Sequence, residues 1–421
     1  MKTEQVGEKI LEKIGVPEKE VNIFQEQTRE MVKNIENTLK SKKISAEVFI
    51  GGSLRKGTLI RKKKQDADIF VRFESKTEEE IAHNFKKLID GLRTKARKEK
   101  IHGSRDYYRI IGKNLEFEIV PVQKIARPEE SKNTTDLSYF HVDYVSKKIE
   151  KNRKLAGEIV LAKTFTHACG CYGAESHIRG FSGYALELLI IHYKGFMNFI
   201  RSMANNKKIN ITIDMQKFYK NEDEIMISMN EAKLESPIVL VDPTFKERNA
   251  LAALSKETFE KFKIYCRKFL KNPSDKFFEE KKFDEIGLKK SAKKKKAEFV
   301  KILARTEKQE GAVAGSKLLK FFNLIGFRFS QNYEIVNKIF EYHEGKEAEF
   351  YFAIKKKKKV IFSGPDITDI ENLVKFRKKH RHCFVKEHKA YAKEKPKDFK
   401  RILQEIKKEK LPKMMGISKF N

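Results

Sequence analysis

The sequence contains no tryptophan and only 4 cysteines and 9 prolines among its 421 residues. The cysteines are scattered, and the C-x-C spacing of Cys169 and Cys171 has no second pair, so we expect reduced, buried thiols rather than a disulfide framework or a zinc site. The first residues lack an apolar signal segment. The longest apolar run, Ala185–Ile191, is interrupted by Glu187 and is too short to cross a bilayer. We therefore expect a cytoplasmic protein without a membrane partner.

Positive charge far outnumbers negative charge in this chain. Lysine and arginine number 91 against 59 aspartates and glutamates, which gives a formal net charge of +32. Such an excess opposes a compact state and favours a polyanionic partner. Hydrophobic residues make up 40% of the chain and aromatic residues 11%, so a core can form and a disordered basic protein is excluded. The length fits two or three domains.

The first 150 residues mix helical and strand patterns, which predicts a sheet covered by helices. An amphipathic helix is predicted over 20–40, and a second helix is expected to begin after its cap at Thr77. Strands are predicted at 47–50, 68–73 and 115–120. Pro121 should limit the pairing of the third strand because proline cannot donate a ladder hydrogen bond.

The rest of the chain is predicted to be helical at first and mixed later. Helical patterns dominate 150–199, a short buried strand follows at 238–242, and Ser255 caps a further helix. A lysine-rich linker that includes 293–296 is a plausible domain boundary. Beyond it we predict a strand at 299–304, a helix at 312–322, two strands around a turn at 344–346, and a basic helix and tail over the last 25 residues.

Two short segments near the first strands carry the candidate chemistry. Gly51-Gly52-Ser53 follows a strand, and glycines there let the backbone approach an anion while Ser53, Lys56 and Thr58 offer donors to phosphate. The order of a Walker A motif is absent. Asp66 and Asp68 begin the next strand, where side chains two residues apart share one face.

Paired carboxylates of this kind suit divalent metal ions. Two carboxylates on one face repel each other unless a cation lies between them, and two metals about 3.5–4 Å apart suit in-line nucleotidyl transfer. Mg²⁺ prefers a few carboxylates together with substrate phosphates. Glu116 or Glu118, on the third strand, could supply a third carboxylate. Together, the Gly-Ser turn, the Asp-x-Asp strand and the later acidic strand are far more specific than any one of them.

This combination resembles the nucleotidyltransferase superfamily, and three further blocks narrow the resemblance. These are Tyr172-Gly-Ala-Glu, Arg179-Gly-Phe-Ser-Gly-Tyr184, and Val241-Asp-Pro followed by Lys246-Glu-Arg-Asn249. With them the chain resembles the archaeal-type (class I) CCA-adding enzymes, a family of tRNA nucleotidyltransferases. The C-terminal third matches more loosely than the rest.

The resemblance implies a fold and an activity. The fold would be multidomain α+β: a nucleotidyltransferase palm-like catalytic head at 1–150, a helical central domain at 151–275, and a ferredoxin-like α+β body with a helical tail at 276–421. The enzyme would add C, C and A to the 3′ end of tRNA from CTP and ATP without a nucleic-acid template, using two Mg²⁺ ions. The implied partners are tRNA, ATP and CTP, with a homodimer left open.

The resemblance also implies roles for nine residues. Asp66, Asp68 and Glu118 match the metal-binding catalytic carboxylates, Glu118 being the group that activates the 3′-hydroxyl of the RNA. Contacts to the incoming nucleotide would come from Ser53, Lys56, His141, Lys163, Tyr172 and Arg248. Two of these depart from the family pattern, because Glu118 stands where aspartate is usual and Lys56 where arginine is usual. The gap at 61–64 is rich in lysine and one residue longer.

Two other functions remain open from the sequence. A poly(A) polymerase-like enzyme would tail unrelated RNA, and a non-catalytic RNA-binding module would keep the scaffold without the reaction. Lysine runs at 293–296 and 355–359 favour RNA contact, and the aromatic residues 350–352 before the second run predict a sheet that faces RNA phosphates. Alone, Lys163 and Arg248 would be interpreted as surface residues, and Arg179 as a partner for Glu187.

Overall fold

The computed structural model describes residues 3–62, 64–75, 77–208, 210–280, 283–307, 309–343 and 345–421. Lys63, in the lysine-rich gap, and Glu344, in the predicted turn, lie outside these residues. The chain divides into two compact units, the first made of 1–174 and 178–281 and the second of 175–177 and 282–421. Among the described residues no helix combines the length and apolar character needed to span a membrane.

The first unit begins with a five-stranded sheet and its helices. The helices are α1 (Thr3–Ile14), α2 (Glu18–Ser41), α3 (Gly52–Lys56) and α4 (Glu78–Gly91). The strands are β1 (Ala46–Ile50), β2 (Gln65–Phe73), β3 (Arg97–Ile101), β4 (Tyr107–Ile111) and β5 (Leu115–Gln123). Their order is β1-β2-β5-β4-β3, and only β2 and β5 run parallel. The predicted helices and strands of this region are confirmed.

Local sequence explains where helix α4 begins and where one side of strand β5 stops pairing. The side chain of Thr77 accepts the backbone N–H of Glu80 and so caps α4, as predicted. Strand β5 pairs with β4 only as far as Ile119, whereas its parallel pairing with β2 continues to Gln123. Pro121 therefore limits pairing on one side of the strand only.

Helices dominate the rest of the first unit. They are α5 (Ser138–Lys151), α6 (Lys154–Ala168), α7 (Gly183–Tyr193), α8 (Phe196–Asn205), α9 (Glu222–Ser228), α10 (Glu231–Leu234) and α11 (Lys256–Lys271). Three short strands, β6 (Ile211–Ile213), β7 (Ile238–Asp242) and β8 (Phe245–Asn249), form a small sheet in that order. A core of aromatic side chains, including Phe165, Phe181 and Phe262, joins α6, α7 and α11. These helices position the second half of the candidate site.

The second unit contains a ferredoxin-like β-α-β-β-α-β arrangement with an insertion. Its elements are α12 (Glu285–Lys294), β9 (Glu298–Thr306), α13 (Gly311–Asn332), β10 (Tyr333–Tyr342), β11 (Glu347–Lys356), β12 (Val360–Asp366), α14 (Ile370–Lys379), β13 (Cys383–Lys386), β14 (Lys389–Glu394), α15 (Phe399–Lys408), α16 (Leu411–Met414) and β15 (Ile417–Phe420). The main sheet has the order β10-β11-β9-β15 and is antiparallel throughout. This order confirms the expected ferredoxin-like body. A second sheet, β12-β14-β13, is inserted between β11 and α15.

Two predictions about the second unit need correction. The lysine run at 293–296 is not a linker, because Lys293 and Lys294 end helix α12. The residues after the basic helix do not form a free tail, because Ile417–Phe420 pairs with β9 and closes the sheet. The aromatic residues at 350–352 are at most 1% exposed and belong to the core, and contact of this sheet with RNA phosphates stays a prediction. The division of the chain into three domains stays a prediction.

Candidate active site

The register of two parallel strands brings the predicted carboxylates together. In the β2–β5 pair, Asp66 lies opposite Glu116 and Asp68 lies opposite Glu118. Burial alternates along β2, so that Ala67 and Ile69 enter the core while Asp66 and Asp68 face the other side of the sheet. The four carboxylates therefore lie on one face, across two neighbouring strands.

The glycine turn before β2 passes directly over Asp68, and this close approach requires glycine at position 52. Gly51 N–H donates to the backbone carbonyl of Asp68 at 2.8 Å. Gly52 has a φ of +62°, and a Cβ placed on it would lie 1.6 Å from Asp68 Oδ2. A side chain at position 52 would thus displace a predicted catalytic carboxylate. Ser53 follows in the short helix α3.

Seven of the nine predicted site residues line one cavity of about 240 Å³ in the first unit. They are Ser53, Lys56, Asp66, Asp68, Glu118, Lys163 and Tyr172. Three carboxylates and two lysines therefore face a common space. Their convergence comes from the β2–β5 sheet on one side and helices α3 and α6 on the other. The roles of these residues stay predictions.

The carboxylates of this cavity disfavour one another's charge. Burial, together with the neighbouring charge of Asp66, raises the pKa of Asp68. Burial and the charge of Asp68 raise the pKa of Glu118 to about 7, although Arg109 opposes this shift. Lys62 Nζ lies 2.8 Å from Asp66 Oδ2, and Arg109 Nη2 lies 3.0 Å from Glu118 Oε1. The site thus concentrates negative charge that cations must balance.

This donor set fits a hard divalent cation. Carboxylate oxygens are the ligands that Mg²⁺ prefers, and a bound cation would return the raised pKa values toward their ordinary range. Within the described ranges, no group of three or more histidine, cysteine, aspartate or glutamate side chains is arranged around a single metal position. Asp66 and Glu118 are instead paired with Lys62 and Arg109.

A buried glutamate joins the two predicted phosphate-binding lysines. Glu187 is fully buried on α7, with Oε2 2.6 Å from Lys56 Nζ and Oε1 2.9 Å from Lys163 Nζ. Lys163 also donates to Thr58 Oγ1 at 3.0 Å. The sequence interpretation did not assign Glu187 to the site and considered it as a partner for Arg179. The signal that could have found it is a lone acid inside the apolar run 185–191.

The remaining two predicted site residues, His141 and Arg248, contact a different buried acid, Asp242. His141 Nε2 lies 3.0 Å and Arg248 Nη1 2.6 Å from Asp242 Oδ2. Neither lines the carboxylate cavity, but Tyr184 does, and its hydroxyl donates to Asp242 Oδ1 at 2.9 Å. The rings of His141 and Tyr184 stack with centroids 4.0 Å apart. Asp242, from the Asp-Pro block, is therefore the centre on which this part of the site is built.

Burial and pairing set the charges around Asp242. Burial alone would raise the pKa of Asp242, but His141, Arg248 and the backbone N–H of Thr244 hold it well below its ordinary value. Burial lowers the pKa of His141, even though Asp242 opposes that shift. Asp242 is thus an anion at neutral pH, paired chiefly with Arg248, which is always charged. Arg248 also lines a second cavity of about 460 Å³.

Two families of known proteins match the sequence of the first unit. Residues 157–279 match the family described as tRNA nucleotidyltransferase, second domain. Residues 1–138 match the family described as the second messenger oligonucleotide or dinucleotide synthetase domain.

Curated relatives give a consistent picture. The chain is 39% identical over 215 residues to the CCA-adding enzyme of Nanoarchaeum equitans, a match that covers 51% of this chain and 52% of that protein. It is 31% identical over 292 residues to the CCA-adding enzyme of Methanocaldococcus jannaschii, covering 67% and 63% respectively. The chain therefore spans from about half to less than two thirds of the length of the relatives it matches.

Solved structures support the fold. A cytoplasmic RNA terminal U-transferase superposes with a TM-score of 0.51 at 13% identity, covering 67% of this chain and 99% of that one. Cid1 in complex with its short product ApU gives 0.51 at 13% identity, covering 66% and 98%. These similarities confirm the nucleotidyltransferase fold class of the predicted head. The resemblance predicted from the motifs is confirmed as well: the chain is similar to archaeal CCA-adding enzymes over half to two thirds of its length, and its residues 157–279 match the tRNA nucleotidyltransferase second-domain family.

Proposed function

We propose that this chain adds C, C and A to the 3′ end of tRNA from CTP and ATP, without a nucleic-acid template, and releases pyrophosphate. The observation that carries the proposal is the cavity in which Asp66, Asp68 and Glu118 face Lys56 and Lys163. The relatives named CCA-adding enzymes support the choice of tRNA, CTP and ATP as substrates. We place the reaction in the cytoplasm, where uncharged tRNA is processed.

The three carboxylates form the catalytic side of the proposed site. Asp66, Asp68 and Glu118 would hold two Mg²⁺ ions, which when bound would stabilise charge on the attacking and leaving oxygens. Glu118 would activate the 3′-hydroxyl of the RNA. It is one methylene longer than the aspartate usual in the family, and its contact with Arg109 fixes where its carboxylate lies.

The lysine side of the cavity is suited to the triphosphate. Lys56 and Lys163 share the single carboxylate of Glu187, so two positive charges against one negative leave net positive charge beside the cavity. Ser53 and Tyr172 line the same space and can donate hydroxyl hydrogen bonds to phosphate oxygens. These four residues would hold the triphosphate and stabilise the departing pyrophosphate.

The Asp242 cluster is suited to orient the base of the nucleotide. Asp242 engages one end of the Arg248 guanidinium, which leaves its other N–H groups in a fixed direction. Tyr184 links this cluster to the catalytic cavity, since it lines the cavity and bonds Asp242. We assign base selection to Arg248 and His141 on this ground.

The charge of the chain fits tRNA as its macromolecular partner. A formal net charge of +32 provides sequence-independent attraction to phosphates, which suits an enzyme that must accept every tRNA. The affinity should therefore fall steeply with salt. The family also suggests that the chain pairs with a second copy of itself as a homodimer. Light scattering of the purified protein would detect such a dimer.

An extension assay tests the proposal. The wild-type chain and an Asp68→Ala variant would be incubated with Mg²⁺, CTP and ATP and with two RNAs, a tRNA transcript that lacks its 3′ C-C-A and an unstructured RNA. We expect the wild type to extend the tRNA by three nucleotides and to leave the other RNA unextended. A long A tail on either RNA would instead indicate a poly(A) polymerase, and salt-sensitive tRNA binding without extension would indicate a binding module.

A further inference from the structure

One aromatic pair at the cavity has no role in the function proposed so far. The rings of His167 and Tyr172 stack, with centroids 3.9 Å apart and an angle of 22° between their planes. His167 lies on α6 four residues after Lys163, hence on the same face of the helix. Tyr172 lines the catalytic cavity, whereas His167 does not. The histidine therefore packs behind a cavity-lining ring.

The backbone and the far end of Tyr172 are fixed by other contacts. Gly173 N–H donates to the carbonyl of Phe181 at 2.8 Å, and Phe181 N–H donates to the carbonyl of Cys171 at 2.8 Å. A Cβ placed on Gly183 would lie 2.8 Å from the Tyr172 hydroxyl oxygen, so the hydroxyl lies directly beside this glycine. The stack with His167 is a contact to the ring face that a side-chain substitution can remove.

His167 contributes its ring face rather than a hydrogen bond from its inner nitrogen. In the part of the chain that the structure describes, the buried Nε2 of His167 has no hydrogen-bond partner. Burial, with smaller effects of Lys62 and Lys163, lowers the pKa of His167 to about 4, so the ring is neutral at physiological pH. A buried nitrogen without a partner costs stability.

We propose that His167 is a positioning residue for nucleotide binding, because it holds the Tyr172 ring against the cavity wall beside Gly183. The inference rests on the proposed function in one respect: it takes Tyr172 to contact the triphosphate of the incoming nucleotide. His167 itself acts through Tyr172 and makes no contact with the nucleotide. Its loss should therefore weaken nucleotide binding and leave the chemical step unchanged.

The test compares three variants by steady-state kinetics. An aromatic pair is typically worth a factor of about 2–10 in an equilibrium constant, so His167→Ala should raise the KM for ATP by about that factor with little change in kcat. His167→Phe keeps the stacking ring and should restore the wild-type KM. The matched control is His192→Ala, which removes the His192–Tyr193 contact at 4.7 Å, outside the cavity lining, and should change neither constant.

A double-mutant cycle separates positioning from a direct or merely structural role. In a Tyr172→Ala background, His167→Ala should cause no further rise in KM, because the ring that it positions is gone. An equal further rise in that background would overturn the inference, as would a His167→Phe variant no better than His167→Ala.

Direct ATP titration distinguishes this inference from the proposed function. If the wild type binds ATP and His167→Ala weakens the binding, the inference stands even if the extension product is not C-C-A. If the wild type completes the C-C-A end and His167→Ala binds ATP as well as the wild type does, the inference fails and the proposed function stands. If the wild type binds no ATP, Tyr172 has no triphosphate to contact, and both fail.

Discussion

The carboxylate of Glu187 and the ammonium of Lys163 form an ion pair of 2.9 Å in which both side chains are at most 5% exposed. Burial alone would raise the pKa of Glu187, but Lys163 and Lys56 lower it below its ordinary value. Glu187 therefore stays charged and compensates two buried cations at once. Glu187 lines the same cavity as the two lysines, and its charge offsets the cost of burying theirs.

Removing the Glu187 carboxylate should destabilise the first unit. Glu187→Ala leaves Lys56 and Lys163 buried without their counterion, and breaking such a pair typically costs about 3–5 kcal/mol of the free energy of unfolding. Glu187→Gln keeps the shape and should cost less. Urea denaturation followed by circular dichroism measures both. Asp90→Ala, which breaks the exposed Lys86–Asp90 pair, is the control and should leave the unfolding midpoint unchanged. A Glu187→Ala variant as stable as this control would contradict the account.

The glycine turn gives a prediction with its control in the same loop. Gly52 and Gly57 have φ angles of +62° and +66°, so alanine at either position costs about 1–2 kcal/mol of backbone strain. Only at Gly52 does the added Cβ meet Asp68, since nothing lies within 4 Å of a Cβ at Gly57. We expect Gly52→Ala to abolish extension and Gly57→Ala to retain it, and Gly52→Ala to lose more stability because its Cβ also displaces Asp68. Equal activity of the two variants would show that Asp68 is not needed where the structure places it.

The carboxylate pair itself should be essential to the reaction and dispensable for RNA binding. Asp68→Asn keeps the size of the side chain but removes its charge, so extension should fall by more than about a hundredfold. Gel-shift affinity for tRNA should stay near the wild-type value, because that affinity comes from lysines and arginines elsewhere on the chain. Asp143→Asn, at a half-exposed aspartate paired with Lys147, is the matched control and should affect neither measurement. Loss of tRNA binding by Asp68→Asn would mean that its effect is on folding.

The sequence predicted the catalytic half of the site because its signals are local. Asp66 and Asp68 lie two residues apart on one predicted strand, and Glu118 lies on another, whereas the parallel register that places Glu118 beside Asp68 comes from the structure. Between Glu116 and Glu118 the residues alone left the choice open, because both lie on the same face of β5. The family resemblance, not periodicity, selected Glu118.

The parts that the sequence did not reveal depend on contacts between distant segments. Glu187 meets Lys56 across a separation of 131 residues, and nothing in the apolar run around it indicates which cations it pairs with. The sheet β12-β14-β13 was missed because its strands are short and each contributes at most two buried residues, which leaves a weak hydrophobic pattern. The fourth strand of the ferredoxin-like sheet, Ile417–Phe420, has only four residues, and its partner β9 lies more than 100 residues earlier.

The Asp242 cluster predicts a pH dependence of stability. Asp242 has a folded-state pKa below its unfolded value of about 3.9. Its stabilising contribution is therefore fully present above that unfolded value and is lost as the pH falls toward the folded-state pKa. Asp242→Asn should lower the free energy of unfolding by about 2 kcal/mol at pH 7, and the difference from wild type should shrink between pH 4 and pH 2.

Urea denaturation at a series of pH values measures the Asp242 effect. Asp90→Asn, at an exposed position, serves as the control and should follow the wild type at every pH. A difference between Asp242→Asn and wild type that stays constant down to pH 2 would mean that the carboxylate charge is not what stabilises the cluster.

Sequencing the 3′ end of the extended tRNA tests the central claim most directly. The purified chain would act on a tRNA transcript that lacks its C-C-A, with Mg²⁺ and with CTP alone, ATP alone or both nucleotides. We expect the addition of two cytidines with CTP alone and no C-C-A sequence with ATP alone. With both nucleotides we expect C-C-A followed by a stop. Homopolymeric tails of A or U, or no extension of a tRNA that the chain binds, would contradict it.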